Sequence, residues 1–241
     1  MTRCLFILLL SFCTVCQGAV SKPLLVIIGA NPWRMVVGSD SPTFALYEDG
    51  TVIYSAEKAS ANEPFRSRTV PDAKRKADEL LAFDAGRMKK RYTLTSWTDQ
   101  PTTVIWTSTK KIVIYGNWRN PRKLDEEPLP AEIATALKRI EKECSAAGTP
   151  WLSDKIEVMF WPYEYAPDKS IIWPKDWPGL NAKDTKTRGH DQFSVFLAAE
   201  KLPDLRRFLA TRSERGAVLI DYKKMAASYR FPFPGEEEWM R

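Results

Sequence analysis

The chain has 241 residues, 44% hydrophobic and 27% charged, with a formal charge of +6. This composition excludes disordered, collagen-like and coiled-coil classes, and the length allows one large or two small domains with a core of useful size. The positive clusters Lys74–Lys76, Arg87 with Lys89–Arg91, and Arg206-Arg207 are answered by acids at Asp125–Glu127 and Glu236–Glu238, which reads as a solvated mixed surface without a nucleic-acid motif.

In chain order, the first segment reads as an address. Arg3 precedes an apolar run from Cys4 to Cys16, and Gln17-Gly18-Ala19 supplies small residues at a cleavage point. This is the layout of a secretory signal peptide over 1–19, and the run is shorter than the roughly 20 apolar residues of a membrane span. Without it the charge would be +5. Cys4, Cys13 and Cys16 fall inside this segment, so only Cys144 would remain and no intramolecular disulfide is expected.

Strands are expected at Leu24–Ile28 and Trp33–Val37. Phe44–Tyr47 and Thr51–Tyr54 flank Asp49-Gly50, a hairpin signal, because glycine takes positive φ at no steric cost. Ser60–Arg68 reads as a polar loop. Pro71–Phe83 is helical, with Ala73, Ala77, Leu80 and Leu81 on one face. Arg91–Trp97 is a strand. Thr102 to Tyr115 forms the most strand-rich stretch: two β-branched and aromatic runs around the polar break Thr107–Lys111, a hairpin apolar on both faces. After a proline-bounded loop at 116–128, the helix 129–146 is marked by Ile133, Leu137, Ile140 and Cys144 at spacings of 4, 3 and 4. Lys155–Trp161 is a strand, Pro162–Gly189 a long irregular connection, and the chain then reads strand (193–197), helix (203–210) and hairpin (217–231) turning at Tyr222–Lys224. The expected class is α+β: a mostly antiparallel sheet of hairpins with three helices packed on one face. Residues 20–241 form a single domain, and any two subdomains would meet near 148–155.

Four pieces stand together in this order: Leu46-Tyr47-x-Asp49-Gly50-x-Val52-Ile53, Thr98-Asp99 with Thr102-Thr103, Trp173-Pro174 with Trp177-Pro178, and Tyr229-Arg230 followed by Pro234-Gly235-Glu236. The set resembles scattered motifs of uncharacterised exported bacterial proteins over most of the chain beyond residue 19. Some of those relatives resemble lipoproteins, whereas Phe12 and Val15 are bulky where a lipidation site takes a small residue. The resemblance implies an envelope or secreted location and carries over no activity and no functional residue.

Motifs for catalysis are missing. There is no Gly-x-Ser-x-Gly, phosphate loop or dinucleotide fingerprint, and His190 is the single histidine. No catalytic residue, metal or cofactor is expected. The candidate binding residues are aromatic, with polar neighbours: Trp161, Tyr163, Tyr165, Trp173, Lys175, Asp176 and Trp177. If the 173–177 segment is extended, Trp173 and Trp177 share a side and form a shelf of co-planar rings. The alternative role for these rings is to pin the loop to the core. The functional expectation is an exported, non-enzymatic module that binds a protein or glycan partner, inhibitor-like or envelope-associated. An exported carboxylate-dependent hydrolase and a membrane-tethered structural protein are its competitors. Nucleic acid is not an expected partner, and membrane contact is expected only through an uncleaved N-terminal segment.

Overall fold

The computed structural model describes residues 21–56, 60–120 and 127–240. The segment 1–19, expected to be a signal peptide, and the acids Asp125-Glu126 lie outside the described residues. The architecture is α+β, with three α-helices and fourteen strands in two sheets among the described residues.

The first sheet holds β1 (Pro23–Ala30), β2 (Pro42–Tyr47), β3 (Thr51–Ser55), β4 (Phe65–Thr69), β5 (Arg91–Thr93), β6 (Thr102–Thr107), β7 (Lys111–Tyr115) and β8 (Thr149–Trp151). Its order is β5-β7-β6-β1-β2-β3-β4-β8, antiparallel except for the β5–β7 pair. The hairpin at 102–115 is β6–β7, paired from Thr102↔Tyr115 to Trp106↔Lys111. Alternation sorts the side chains of this sheet. Leu25, Ile27, Phe44, Leu46, Val52, Tyr54 and Ile105 face α1 (Ala73–Leu81) and α2 (Ala131–Glu143), while Val26, Ala45, Tyr47 and Ile53 face the opposite way. The spacing signals operate as read, with Ile133, Leu137 and Ile140 of α2 buried beside Ala136, while α1 begins later than Pro71: Asp72 caps it by accepting from the Arg75 amide at 3.0 Å.

The second sheet holds β9 (Lys155–Pro162), β10 (Asp168–Ile172), β11 (Lys186–Gly189), β12 (Gln192–Ala198), β13 (Gly216–Ile220) and β14 (Lys223–Arg230), in the order β10-β13-β14-β9-β12-β11. Ile156, Val158 and Phe160 of the central strand β9 face a core shared with α3 (Leu202–Ala210) through Leu202 and Leu205. The three helices are therefore divided between two sheets and do not cover one face of a single sheet. The chain passes from the first sheet to the second between Trp151 and Lys155.

Four other expectations change in detail. The segment read as a polar loop at Ser60–Arg68 runs into the strand β4, which pairs with β3 and β8. Trp33–Val37 is a turn, whose buried Val36 packs on Met159 and Ala226 and whose amide donates to Ser228 Oγ at 3.2 Å. The strand from Arg91 stops at Thr93. The connection 162–189 contains two edge strands, β10 parallel to β13 and β11 antiparallel to β12.

Candidate functional site

The candidate aromatic residues do not gather at one place. Trp173 and Trp177 are buried, at 5% and 9% exposure, on the inner side of the second sheet. The segment between them is a turn, with the Trp177 amide donating to the Pro174 carbonyl at 3.1 Å. A turn brings the rings edge to face instead of side by side: their centroids are 4.9 Å apart at 81°. Both also meet Phe208 of α3, at 5.5 and 5.7 Å, and the Trp173 indole donates to the Pro178 carbonyl at 3.0 Å. A co-planar shelf is not formed. Lys175 and Asp176 sit exposed on the turn. Trp161 and Tyr163 lie half-buried on the other side of the sheet against Met35 and Val36. Of the candidate aromatic rings only Tyr165 is open to solvent, at 93% exposure.

Tyr165 belongs to a cluster of turns at one end of the second sheet. The β13–β14 hairpin closes through only two residues, Asp221 and Tyr222, between the paired Ile220 and Lys223. Both take positive φ, 46° and 65°. Such a turn twists in the sense of its strands but favours Asn-Gly or Asp-Gly. Here the glycine position is a tyrosine, and its ring is fully exposed. The β9–β10 turn lies beside it, since the Tyr163 amide donates to the Lys224 carbonyl at 2.9 Å. The β11–β12 turn comes to the same place: Asp191, at φ 52°, accepts from Lys223 Nζ at 2.6 Å. Between the three turns is an open concavity of about 350 Å³, lined by Glu164, Asp191, Tyr222, Lys223 and Lys224 over Pro162 and Met225. Lys223 holds the Asp191 carboxyl below the usual carboxylate range, chiefly through its hydrogen bond. His190 is almost wholly exposed, with Nδ1 3.3 Å from Asp191.

Sequence reasoning placed Tyr222 in the hairpin turn, at 222–224, without naming it as a site residue; the turn is Asp221-Tyr222. Lys223 and Lys224, read as turn residues, instead pair with Ile220 and Leu219 and leave Asp221-Tyr222 to close the hairpin.

A second polar feature is buried. Glu157 of β9 and Arg230 of β14 are cross-strand partners with essentially no exposure. Glu157 Oε2 lies 2.5 Å from Arg230 Nη2, while its Oε1 accepts from Arg188 at 2.7 Å and from the Ser194 hydroxyl at 2.5 Å. Arg230 also donates to Glu236 Oε1 at 2.8 Å. Burial pushes the Glu157 carboxyl up, but Arg230, Ser194 and Arg188 outweigh it and the carboxyl titrates below its usual range. Both carboxylates are tied to Arg230, and this group links β9 and β14 to the segment after them.

Cys144 closes α2 and is half-buried. Burial, helped by Glu141 and Glu143, pushes its thiol up to about 12. It is protonated at neutral pH and a poor nucleophile. Among the described residues no disulfide is present, no His, Cys, Asp and Glu cluster is placed to hold a metal ion, and no helix is long and apolar enough to cross a membrane. Set against known proteins, the chain matches no family model, no curated protein and no solved structure.

Proposed function

We propose that the protein is an exported, non-enzymatic binding module, and that the turn cluster at the end of the second sheet takes a neutral oligosaccharide. The observation that carries this is Tyr222. A non-glycine residue in the left-handed region costs about 1–2 kcal/mol, and here that strain holds a fully exposed aromatic ring. Exposed rings stack on the apolar faces of sugars and also anchor protein partners. The polar groups beside Tyr222 favour the sugar: Lys223 and Asp191 neutralise each other, and Lys224 and Glu164 add one charge of each sign. The concavity thus offers both donors and acceptors with little net charge, which suits hydroxyls better than an ionic partner.

Hydrolysis by Glu164 and Asp191 is the less favoured reading. A glycosidase needs one carboxylic acid with a raised pKa, and Asp191, which is shifted the other way, does not supply that acid. The exported location rests on the sequence of residues 1–19 and is tested by the intact mass of the mature product.

The binding test is titration calorimetry against neutral oligosaccharides such as chitohexaose and cellohexaose. Saturable binding is expected, weakened at least about tenfold by Tyr222→Gly with the fold retained. Binding that survives this change, or no binding to any neutral glycan, overturns the assignment. Capture of a protein through the same turns would replace the sugar with a protein partner. Release of reducing ends that is lost in Glu164→Gln would instead establish the hydrolase.

A further inference from the structure

A second cavity lies elsewhere, on the helix-covered side of the first sheet. The stripe on α2 that packs on this sheet ends in Leu137 and Ile140. At that end the strand beneath supplies Gly29, paired with Thr103 of β6. A Cβ placed on Gly29 would meet only the Thr43 methyl, at 3.9 Å. Ile27, two residues back on the same side of β1, fills its position and is buried. Gly29, Thr43 and Thr103 together with the last turn of α2 line a cavity of about 570 Å³. That volume falls within the range of small-molecule sites, roughly 300–1,000 Å³.

The walls sort by polarity. Ile27, Trp118, Leu137 and Ile140 supply an apolar body, and Thr103 and Ser55 contribute hydroxyls. The Trp118 ring is buried at 7% exposure, and its indole N–H has no hydrogen-bond partner among the described residues. The mouth carries Arg119, Glu141 and Lys142. Arg119 lies over the Trp118 ring, 4.7 Å from its centroid, and donates to Glu141 at 2.6 Å. That bond neutralises Glu141. Lys142 forms no ion pair among the described residues, so the mouth carries a surplus positive charge. Cys144, also in the wall, is protonated and adds no negative charge.

We propose that this cavity is a second binding site, for a small anionic amphiphile such as a medium-chain or aromatic carboxylate. The apolar body lies along Trp118, Leu137 and Ile140. The carboxylate sits at the mouth beside Lys142 and Arg119. Charge at the mouth and its absence from the walls fix the orientation, because burying a carboxylate among the apolar groups would be strongly unfavourable. The site is on the opposite sheet from the turn cluster and does not depend on any reading of it.

The test uses the full chain, with decanoate as probe and decanol as its uncharged counterpart, followed by calorimetry and by displacement of anilinonaphthalene sulfonate. Saturable binding of one decanoate per chain is expected, with decanol at least about tenfold weaker. Gly29→Leu, whose φ lies in the ordinary range and whose side chain enters the empty space, should abolish binding with the melting temperature kept or raised. If that variant does not fold, Thr103→Leu fills the cavity from the adjacent strand. Lys142→Glu, at an exposed position, should weaken decanoate about tenfold and leave decanol unchanged. The proposal is overturned if decanoate shows no saturable binding or if a folded cavity-filling variant binds as the parent does. It is equally overturned if decanol equals decanoate or if Lys142→Glu has no effect.

Discussion

Tyr222 sets a local rule of chain geometry against exposure. Its neighbour Asp221 is also left-handed but has a structural return, since its carboxylate accepts the Leu180 amide at 2.6 Å and anchors the loop after Trp177. Tyr222 makes no such bond among the described residues, so the two positions should respond oppositely to change. Tyr222→Gly removes the side-chain strain and should stabilise the protein by about 1 kcal/mol, a rise in Tm of about 2–4 °C for a chain of this size. Asp221→Ala keeps the strain, frees the Leu180 amide and should lower Tm. Thermal unfolding of both variants decides the matter; a lower Tm for Tyr222→Gly would mean that the ring supports the fold. Cys144 yields a second expectation at this scale. With its thiol pushed up to about 12, it should react with a disulfide reagent at pH 8 far more slowly than a free thiol of ordinary pKa near 8.5. Rapid stoichiometric labelling of the folded chain would contradict the burial that causes the shift.

Among the elements, the β9–β14 pair is the one whose interior depends on charge. Arg230→Met removes the only buried cation between Glu157 and Glu236, and stranding a buried carboxylate in this way typically costs about 3–5 kcal/mol. The sign of the pH dependence follows from the lowered Glu157 value. Its stabilisation is fully present above the unfolded carboxylate pKa of about 4.3 and is lost as pH falls through the lower folded value. Urea midpoints measured from pH 6 to pH 3 should therefore fall more steeply for the parent than for Glu157→Gln; parallel curves would sink the claim. None of this was readable in advance, because Glu157 and Arg230 look like ordinary alternating residues until the register of two strands far apart in sequence makes them partners. The local elements were readable. Asp49-Gly50 sets its own turn, with Gly50 at φ 85° against the Val70 carbonyl, and Ile133, Leu137 and Ile140 mark a helix by spacing alone. Polar edge strands such as β11, Lys-Thr-Arg-Gly, carry no periodic signal and exist only because β12 offers a free edge. For Trp173 and Trp177 a four-residue spacing fits one face of an extended segment, yet the turn at Pro174 directs both rings into the core.

At the scale of the whole molecule, the two sheets are joined by the tail that follows β14. Arg230 is its first fixed point, and beyond it Phe231 and Phe233 flank Phe65 of the first sheet at 5.4 and 5.1 Å, edge to face. Phe233 also meets Trp151 at 5.0 Å, the Tyr47 hydroxyl donates to the Pro234 carbonyl at 3.0 Å, and the Phe231 amide donates to Ser41 Oγ at 2.7 Å. Trp239 ends the run, buried and 6.2 Å from Trp106 of the β6–β7 hairpin. The tail therefore begins as a strand of one sheet and ends as part of the other's core, so the two cores should unfold together. Phe233→Ala removes a ring from the middle of this bridge and should cost about 3–5 kcal/mol, the usual range for a buried aromatic. Removing residues 231–241 should do more than lower stability: it bares Phe65, Trp106 and Trp151 and takes away the shared core. Unfolding that is a single transition in the parent should then separate into two, with hydrogen exchange at β1–β3 and at β9–β14 no longer following the same opening free energy. If exchange in the two sheets stays coincident after truncation, the coupling runs through the direct crossover at 151–155 and not through the tail.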